Sequence, residues 1–324
     1  MAWNGNVEDL LIMENNRSLP IASSWDNLTY NKIGRNTSTI SLVTLVIAIL
    51  LLITGMFGNF FTIILIFLKK KLHTPTYTCI ACLGIADALA SCSRFVLLLH
   101  NYFGIFNYYE EIAIYIIIVI FFLHAANLHI VLFAYLRCEL ISSPLQSVEI
   151  TCRKVLRISI VIWVLSAAMA FAYGTVITLE LTNIVTHVNS FLTDFVLLSY
   201  IYFLPLFLIV FFHIKKIRTL RQKQYQSKRT NTPTYTHMSH SMSIMFIIII
   251  VIFIFSSTPL YIHVIMVYVC AEGKSKYVLC IWTTVSYSIS NLCVMLNNCI
   301  NPIIYFMFST PARKFLNRCR TFWT

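Results

Sequence analysis

The sequence predicts an all-α membrane protein: a bundle of seven transmembrane helices followed by a short amphipathic cytoplasmic helix. Three observations carry that reading. Of 324 residues, 58% are hydrophobic and only 11% are charged, against roughly 25% charged in a soluble domain. Mean hydropathy is +0.78, which fits a surface in contact with lipid rather than water. The apolar residues also gather into seven runs, near residues 40–68, 75–100, 111–138, 155–178, 191–214, 242–270 and 280–307. Each run is long enough to cross ~30 Å of hydrocarbon as a helix.

Charge sets the orientation. The chain carries a net +12, and 18 of its 24 Lys and Arg residues fall in four clusters on one side of the expected bundle. These are Lys69 to Lys71; Arg137 with Arg153, Lys154 and Arg157; the run from Lys215 to Arg229; and Arg313, Lys314, Arg318 and Arg320. Glu139 and Glu149 are the acids on that side, whereas the opposite side holds five basic residues and nine acids. Basic loops stay in the cytoplasm, so an odd number of spans puts the N-terminus outside and the C-terminus inside. Charge split among short loops provides no continuous groove for nucleic acid, and that partner is excluded.

Residues 1–38 are polar, with sequons at Asn16, Asn27 and Asn36. They read as an extracellular glycosylated tail. No basic segment followed by an apolar one marks a cleavable signal, so the first span is expected to insert the chain. Residues 39–308 hold the seven spans. In residues 309–324, Phe315, Leu316, Cys319, Phe322 and Trp323 recur at helical spacing among basic residues, as in a helix lying on the inner leaflet among membrane lipids. Cys319 is there either an acylation site or an ordinary thiol. The chain has no visible internal repeat, which weighs against a secondary transporter.

Polar groups inside the spans mark the candidate site, because an ionisable group in hydrocarbon is expensive and normally has a role. Asp87 lies in the middle of span two, with Asn59, Asn297, Asn298 and Asn301 at comparable depth in spans one and seven. Together they can form a buried polar network. The plainer reading is interhelical glue, which the carboxyl group of Asp87 argues against. Arg94 follows Asp87 by seven residues, on the same face and about two turns nearer the outside. It is either a ligand contact or an arginine snorkelling to the interface. His124, Asn127, His129 and His263 read individually as structural. Pro205, Pro259 and Pro302 interrupt spans five, six and seven, and kinked helices around a polar core suit a bundle with two packings.

These same positions resemble the rhodopsin-like G-protein-coupled receptors over nearly the whole membrane region. The likeness is carried by Gly58 and Asn59 in span one, the stretches Leu72 to Pro75 and Leu83 to Asp87, Trp163, Pro205, and the N-P-x-x-Y motif from Asn301 through Pro302 to Tyr305. Arg137, seven residues before Pro144 and Leu145, stands where the family's inner arginine stands. The resemblance implies that Arg137, Pro144 and Leu145 contact a heterotrimeric G-protein. It also implies that Asn59, Asp87, Asn297, Asn301, Pro302, Tyr305, Phe253 and Pro259 form the activation network. Span two and the stretch from Pro259 to His263 look like the melanocortin branch, and Ile112 at the top of span three, where a cysteine is often absent in the melanocortin, adenosine and cannabinoid group, agrees with that group. By that likeness, Cys270 and Cys280 form a disulfide in the last outer loop.

The departures from the family pattern matter as much. Leu136 and Cys138 flank Arg137 where an acid and an aromatic are usual, which implies easier activation. Ser257 takes the place of a tryptophan, His213 that of a tyrosine, and Ala126 that of a serine that helps hold sodium, so sodium at Asp87 is not expected. Leu97, Ile112 and Ile116 replace the acids by which melanocortin receptors hold basic peptides, and Val119 replaces the aspartate that pairs with amines. Met295 stands in place of the retinal-bearing lysine. The outer pocket is expected to be lined by Arg94, Tyr115, Leu123, Tyr261, Tyr287 and Asn291. Apolar and aromatic with one cation, it suits an anionic amphipathic extracellular ligand such as a lipid or a short acidic peptide.

The expected function is therefore that of a plasma-membrane receptor coupling an outer ligand to a heterotrimeric G-protein. A channel or transporter without G-protein coupling is the alternative. No catalytic constellation supports an enzyme, and no motif calls for a cofactor or a metal.

Overall fold

Seven helices make up the described part of the chain in a computed structural model, which describes residues 24–103, 109–142, 150–181, 190–230, 236–272 and 276–308. Helix α1 runs over Ser24–Leu68, α2 over Pro75–Phe103, α3 over Tyr109–Ser142 and α4 over Cys152–Leu181. Then come α5 over Ser190–Thr230, α6 over Thr236–Glu272 and α7 over Lys276–Phe308. A single 3-10 turn, Lys70–Leu72, joins α1 to α2. The seven-helix bundle predicted from the sequence is borne out. Helix α1 begins at Ser24, so part of the expected polar tail is helical backbone continuous with the first span.

Several expectations fall outside the described residues: Asn16, Pro144, Leu145, Cys319 and the amphipathic helix of residues 309–324. Asn27 and Asn36 lie on α1, Cys270 on α6 and Cys280 on α7, but their side chains are outside the described set.

Among the described residues, six helices contain a stretch long and apolar enough to cross a membrane unaided: Thr39–Leu68, Pro75–His100, Ile114–Ile141, Cys152–Val176, Phe195–Lys223 and Ile247–Val267. Helix α7 carries many polar groups, and its exposure pattern shows how they are accommodated. Ser288, Ser290, Asn291, Asn297, Asn298 and Asn301 are buried, whereas Ile289, Leu296, Ile303 and Met307 face outward. The polar groups meet protein and the apolar ones meet lipid, as a membrane helix requires.

Helices α1, α2, α3, α5, α6 and α7 form a closed ring, each packed on the next and α7 returning to α1. Helix α2 also packs on α7, while α4 stands outside the ring against α2 and α3. The main apolar core joins Leu83 of α2, Leu123 and Phe133 of α3, Ile209 of α5, Phe253 of α6 and Val294 of α7. Ala86, Ala90 and Ala126 form a separate small-residue cluster beside Trp163, where short side chains let the helices approach closely.

Proline inside a membrane helix creates a chemical problem, which the structure solves at Pro205 and Pro302. A proline has no N–H, so the carbonyl four residues earlier loses its helical donor. In lipid that carbonyl needs another partner. Pro205 frees the carbonyl of Ile201, and Asn127 Nδ2 on α3 donates to it at 3.1 Å. Pro302 frees the carbonyl of Asn298, and Asn59 Nδ2 on α1 donates to it at 3.3 Å. An asparagine from a neighbouring helix thus caps each of these two breaks.

Candidate functional site

Polar side chains occur in three layers along the bundle, from the end farthest from the basic clusters to the end that carries them. In the far layer Arg94 of α2 is buried, and its Nη1 donates to Asn291 Oδ1 of α7 at 2.8 Å. Asn291 in turn donates from Nδ2 to the Tyr287 carbonyl at 3.0 Å. His263 of α6 and Ser286 share a hydrogen bond of 3.1 Å, and the His263 ring meets Tyr287 edge-on at 5.3 Å. The partner of Arg94 is a neutral amide rather than a carboxylate, and its Nε has no hydrogen-bond partner. A buried guanidinium with a spare donor and, among the described residues, no carboxylate partner can receive an anion.

Of the six expected lining residues, the structure gathers Arg94, Tyr287 and Asn291. Tyr261 sits apart, among the α5 aromatics Phe195, Tyr202 and Phe203. Leu123 belongs to the main apolar core, and Tyr115 is half-buried on α3. Sequence depth placed these residues at one level but did not give the face on which each lies. Ser286 and Tyr202 carried no signal in the sequence, since a lone serine or tyrosine in a span is ordinary.

In the middle layer Asn301 Nδ2 of α7 donates to Asp87 Oδ2 of α2 at 2.8 Å, with both residues buried. Asp87 Oδ1 and the Ser91 hydroxyl are buried without hydrogen-bond partners. The adjoining α1–α7 seam is very close. A Cβ added at Gly55 would overlap Cys299 Sγ, whose thiol contacts the Leu51 carbonyl at 3.0 Å. Ala126, buried beside α2, presents a methyl group, and the buried oxygens without partners that Asp87, Ser91 and Asn298 contribute are Asp87 Oδ1, Ser91 Oγ and Asn298 Oδ1.

In the basic layer the Arg137 guanidinium lies 5.3 Å from the centre of the Phe133 ring, a cation–π contact. Phe133 meets Tyr305 of α7 edge-on at 5.4 Å. Leu136 and Cys138 on either side are buried and supply no counter-charge. Lys215 of α5 pairs with Glu139 of α3 at 2.9 Å, and Lys223 donates to the Ile141 carbonyl, which ties α3 to α5 at this end. Phe253 is fully buried and packs on Tyr202 at 5.9 Å. Pro259, inside α6, follows a turn whose Ser257 hydroxyl bonds the Phe253 carbonyl at 2.6 Å.

His129 is bonded through both ring nitrogens. Its ring nitrogens meet the Ala125 carbonyl at 2.7 Å and the Ser159 hydroxyl at 2.8 Å, which pins α3 to α4.

A cavity of about 200 Å³ opens between α5 and α6, lined by Tyr202, Phe203, Leu206, Phe253, Ile254, Ser257, Thr258 and Tyr261. Among the described residues, no group of three or more His, Cys, Asp or Glu side chains is placed to hold a metal.

A protein-family model described as 7 transmembrane receptor (rhodopsin family) matches residues 58–305. No curated protein matches the chain.

Proposed function

The chain belongs to the rhodopsin family of seven-transmembrane receptors, and from that premise we propose that it passes an extracellular signal to a heterotrimeric G-protein by shifting its helices between two packings. Membership makes it a multi-pass membrane receptor, with an outer ligand and a G-protein as its general partners. The basic end is the cytoplasmic one on the charge bias, and the cell surface is the membrane in which such a signal is received.

One observation supports the reading above the others. Asn301 and Tyr305 are one helical turn apart on α7. The first holds Asp87 at 2.8 Å and the second packs on Phe133 beneath Arg137. A shift of α7 is therefore felt at the buried carboxyl group and at the basic mouth together. Arg137 is the residue that meets the G-protein. Because Leu136 stands where an acid would tie it down, the resting state is weakly held.

The ligand we propose is anionic and amphipathic, with its charge at Arg94 and Asn291 and its apolar part against the aromatic side chains nearby. The test is nucleotide exchange on a panel of purified G-proteins by the full chain in nanodiscs, without ligand. Exchange above that of empty nanodiscs supports the receptor reading, whereas none with any G-protein subtype contradicts it.

A further inference from the structure

We propose that the crevice between α5 and α6 receives the tail of a single-chain anionic lipid drawn sideways from the bilayer, with its head group held at Arg94. The inference deepens the ligand reading above and rests on Arg94 as the anion anchor.

The crevice opens to the side of the bundle. Phe203 and Ile254 on its rim are 54% and 44% exposed, so lipid reaches it directly. It exists because Ser257 and Thr258 are small where α6 faces the rings of Tyr202 and Phe203. Its volume of about 200 Å³ admits the end of an alkyl chain. A peptide would bring backbone polar groups to walls that offer them almost no partners, and an apolar void does not hold water.

The inner wall turns the groove into a site for an amphiphile rather than a place for any hydrocarbon. Tyr202 is 3% exposed, and its hydroxyl is buried without a hydrogen-bond partner. Arg94 stands within electrostatic range of that hydroxyl and of His263. Its Nε is the unpartnered donor of the far layer. The order from lipid inward is thus an apolar crevice, then an unpartnered hydroxyl, then a buried cation bound to a neutral amide. A charged head group cannot remain in the crevice itself, because desolvating an unpaired ion is far too costly. At Arg94 it meets a guanidinium that, among the described residues, is paired only with a neutral amide.

The experiment uses the full chain in phosphatidylcholine nanodiscs and oleic acid carrying a diazirine near its methyl end. Photolysis is followed by peptide mapping. Labelling concentrated on residues 202–206 and 253–258, displaced by excess oleate but not by oleyl alcohol, is the expected result. Ser257→Phe fills the crevice and should lower that labelling at least tenfold with the melting temperature retained. Thr258→Trp, on the outward rim, serves the same purpose should Ser257→Phe fail to fold. Arg94→Gln should weaken oleate competition about tenfold.

Labelling spread evenly over lipid-facing residues such as Phe57 and Phe171, or unchanged by both fillers, overturns the crevice. Equal competition by the alcohol, or none of the expected loss in Arg94→Gln, overturns the head-group assignment and the proposal with it. G-protein exchange measured on the same nanodiscs separates the two readings: exchange without crevice labelling leaves the receptor standing, and labelling without exchange leaves the lipid site standing.

Discussion

Asn59 of α1 donates its side-chain N–H to the main-chain carbonyl of Asn298 in α7, the carbonyl that Pro302 deprives of its helical donor. The bond is long at 3.3 Å, yet it falls where a membrane helix can least tolerate an empty acceptor. Asn127 and the Ile201 carbonyl before Pro205 repeat the arrangement between α3 and α5. The two breaks in helical hydrogen bonding are therefore closed from outside their own helices. A movement of α5 or α7 must break or carry along a bond to its neighbour.

Two double-mutant cycles follow. Asn127→Ala should destabilise the protein by about 1–3 kcal/mol, the cost of a buried acceptor left bare. Pro205→Ala restores the helical donor, so the same asparagine change should cost much less in that background. Asn59→Ala should behave alike with Pro302→Ala. Thermal melts of the four variants in each cycle measure the coupling, and simple additivity would show that the asparagines do not cap the breaks.

At the α1–α7 seam, Gly55→Val should be more disruptive than a typical apolar change in the membrane. The added carbons meet Cys299, whose Cβ already stands 3.0 Å from the position of a Cβ at Gly55. Overpacking of this kind costs about 1–3 kcal/mol. Cys299→Ala should recover part of the loss by removing the sulfur. A melting temperature for Gly55→Val equal to wild type would mean the helices are not so closely apposed.

In the middle layer, Asn301→Ala removes the donor to a buried carboxyl group. Leaving a buried polar group without its partner costs about 1–3 kcal/mol. Asp87→Ala removes the acceptor itself, so the double variant should lose less than the sum of the singles. Circular-dichroism melts in nanodiscs provide the comparison, and additive losses would place Asp87 in contact with some other donor.

How much of this was legible in the sequence depended on which coordinate mattered. The spans and their depths were readable, because hydrophobic length and proline positions are properties along the chain. Pairing of Asp87 with a span-seven asparagine was also within reach, since depth restricted the choice. What depth could not give was rotation about the helix axis. Tyr261, grouped with Arg94 by level, packs on the α5 aromatics and lines the crevice between α5 and α6. Nor could the sequence tell that the partners of Asn59 and Asn127 are backbone carbonyls, because only the helix path brings a freed carbonyl opposite a given side chain. Burial of the serines and asparagines of α7, with Ile289, Leu296, Ile303 and Met307 outward, is likewise a matter of rotation about the helix axis.

At the basic end, the Lys215–Glu139 pair should matter little to stability. Its lysine side chain is 47% exposed and its glutamate 20%, and exposed ion pairs contribute about 0–1 kcal/mol. Glu139→Gln should leave the melting temperature nearly unchanged. A large drop would mean that the pair anchors α3 to α5 far more firmly than its exposure allows.

The central claim is that Arg137, unrestrained by any acid beside it, works on a G-protein at the mouth below Phe133 and Tyr305. Basal nucleotide exchange by the full chain in nanodiscs tests it most directly, measured for wild type, Arg137→Ala and Leu136→Asp with matched melting temperatures. The account predicts clear exchange by wild type, at least tenfold less by Arg137→Ala, and a marked reduction when Leu136→Asp supplies the missing counter-charge. Exchange that is equal in all three proteins, or no higher than that of empty nanodiscs, contradicts it.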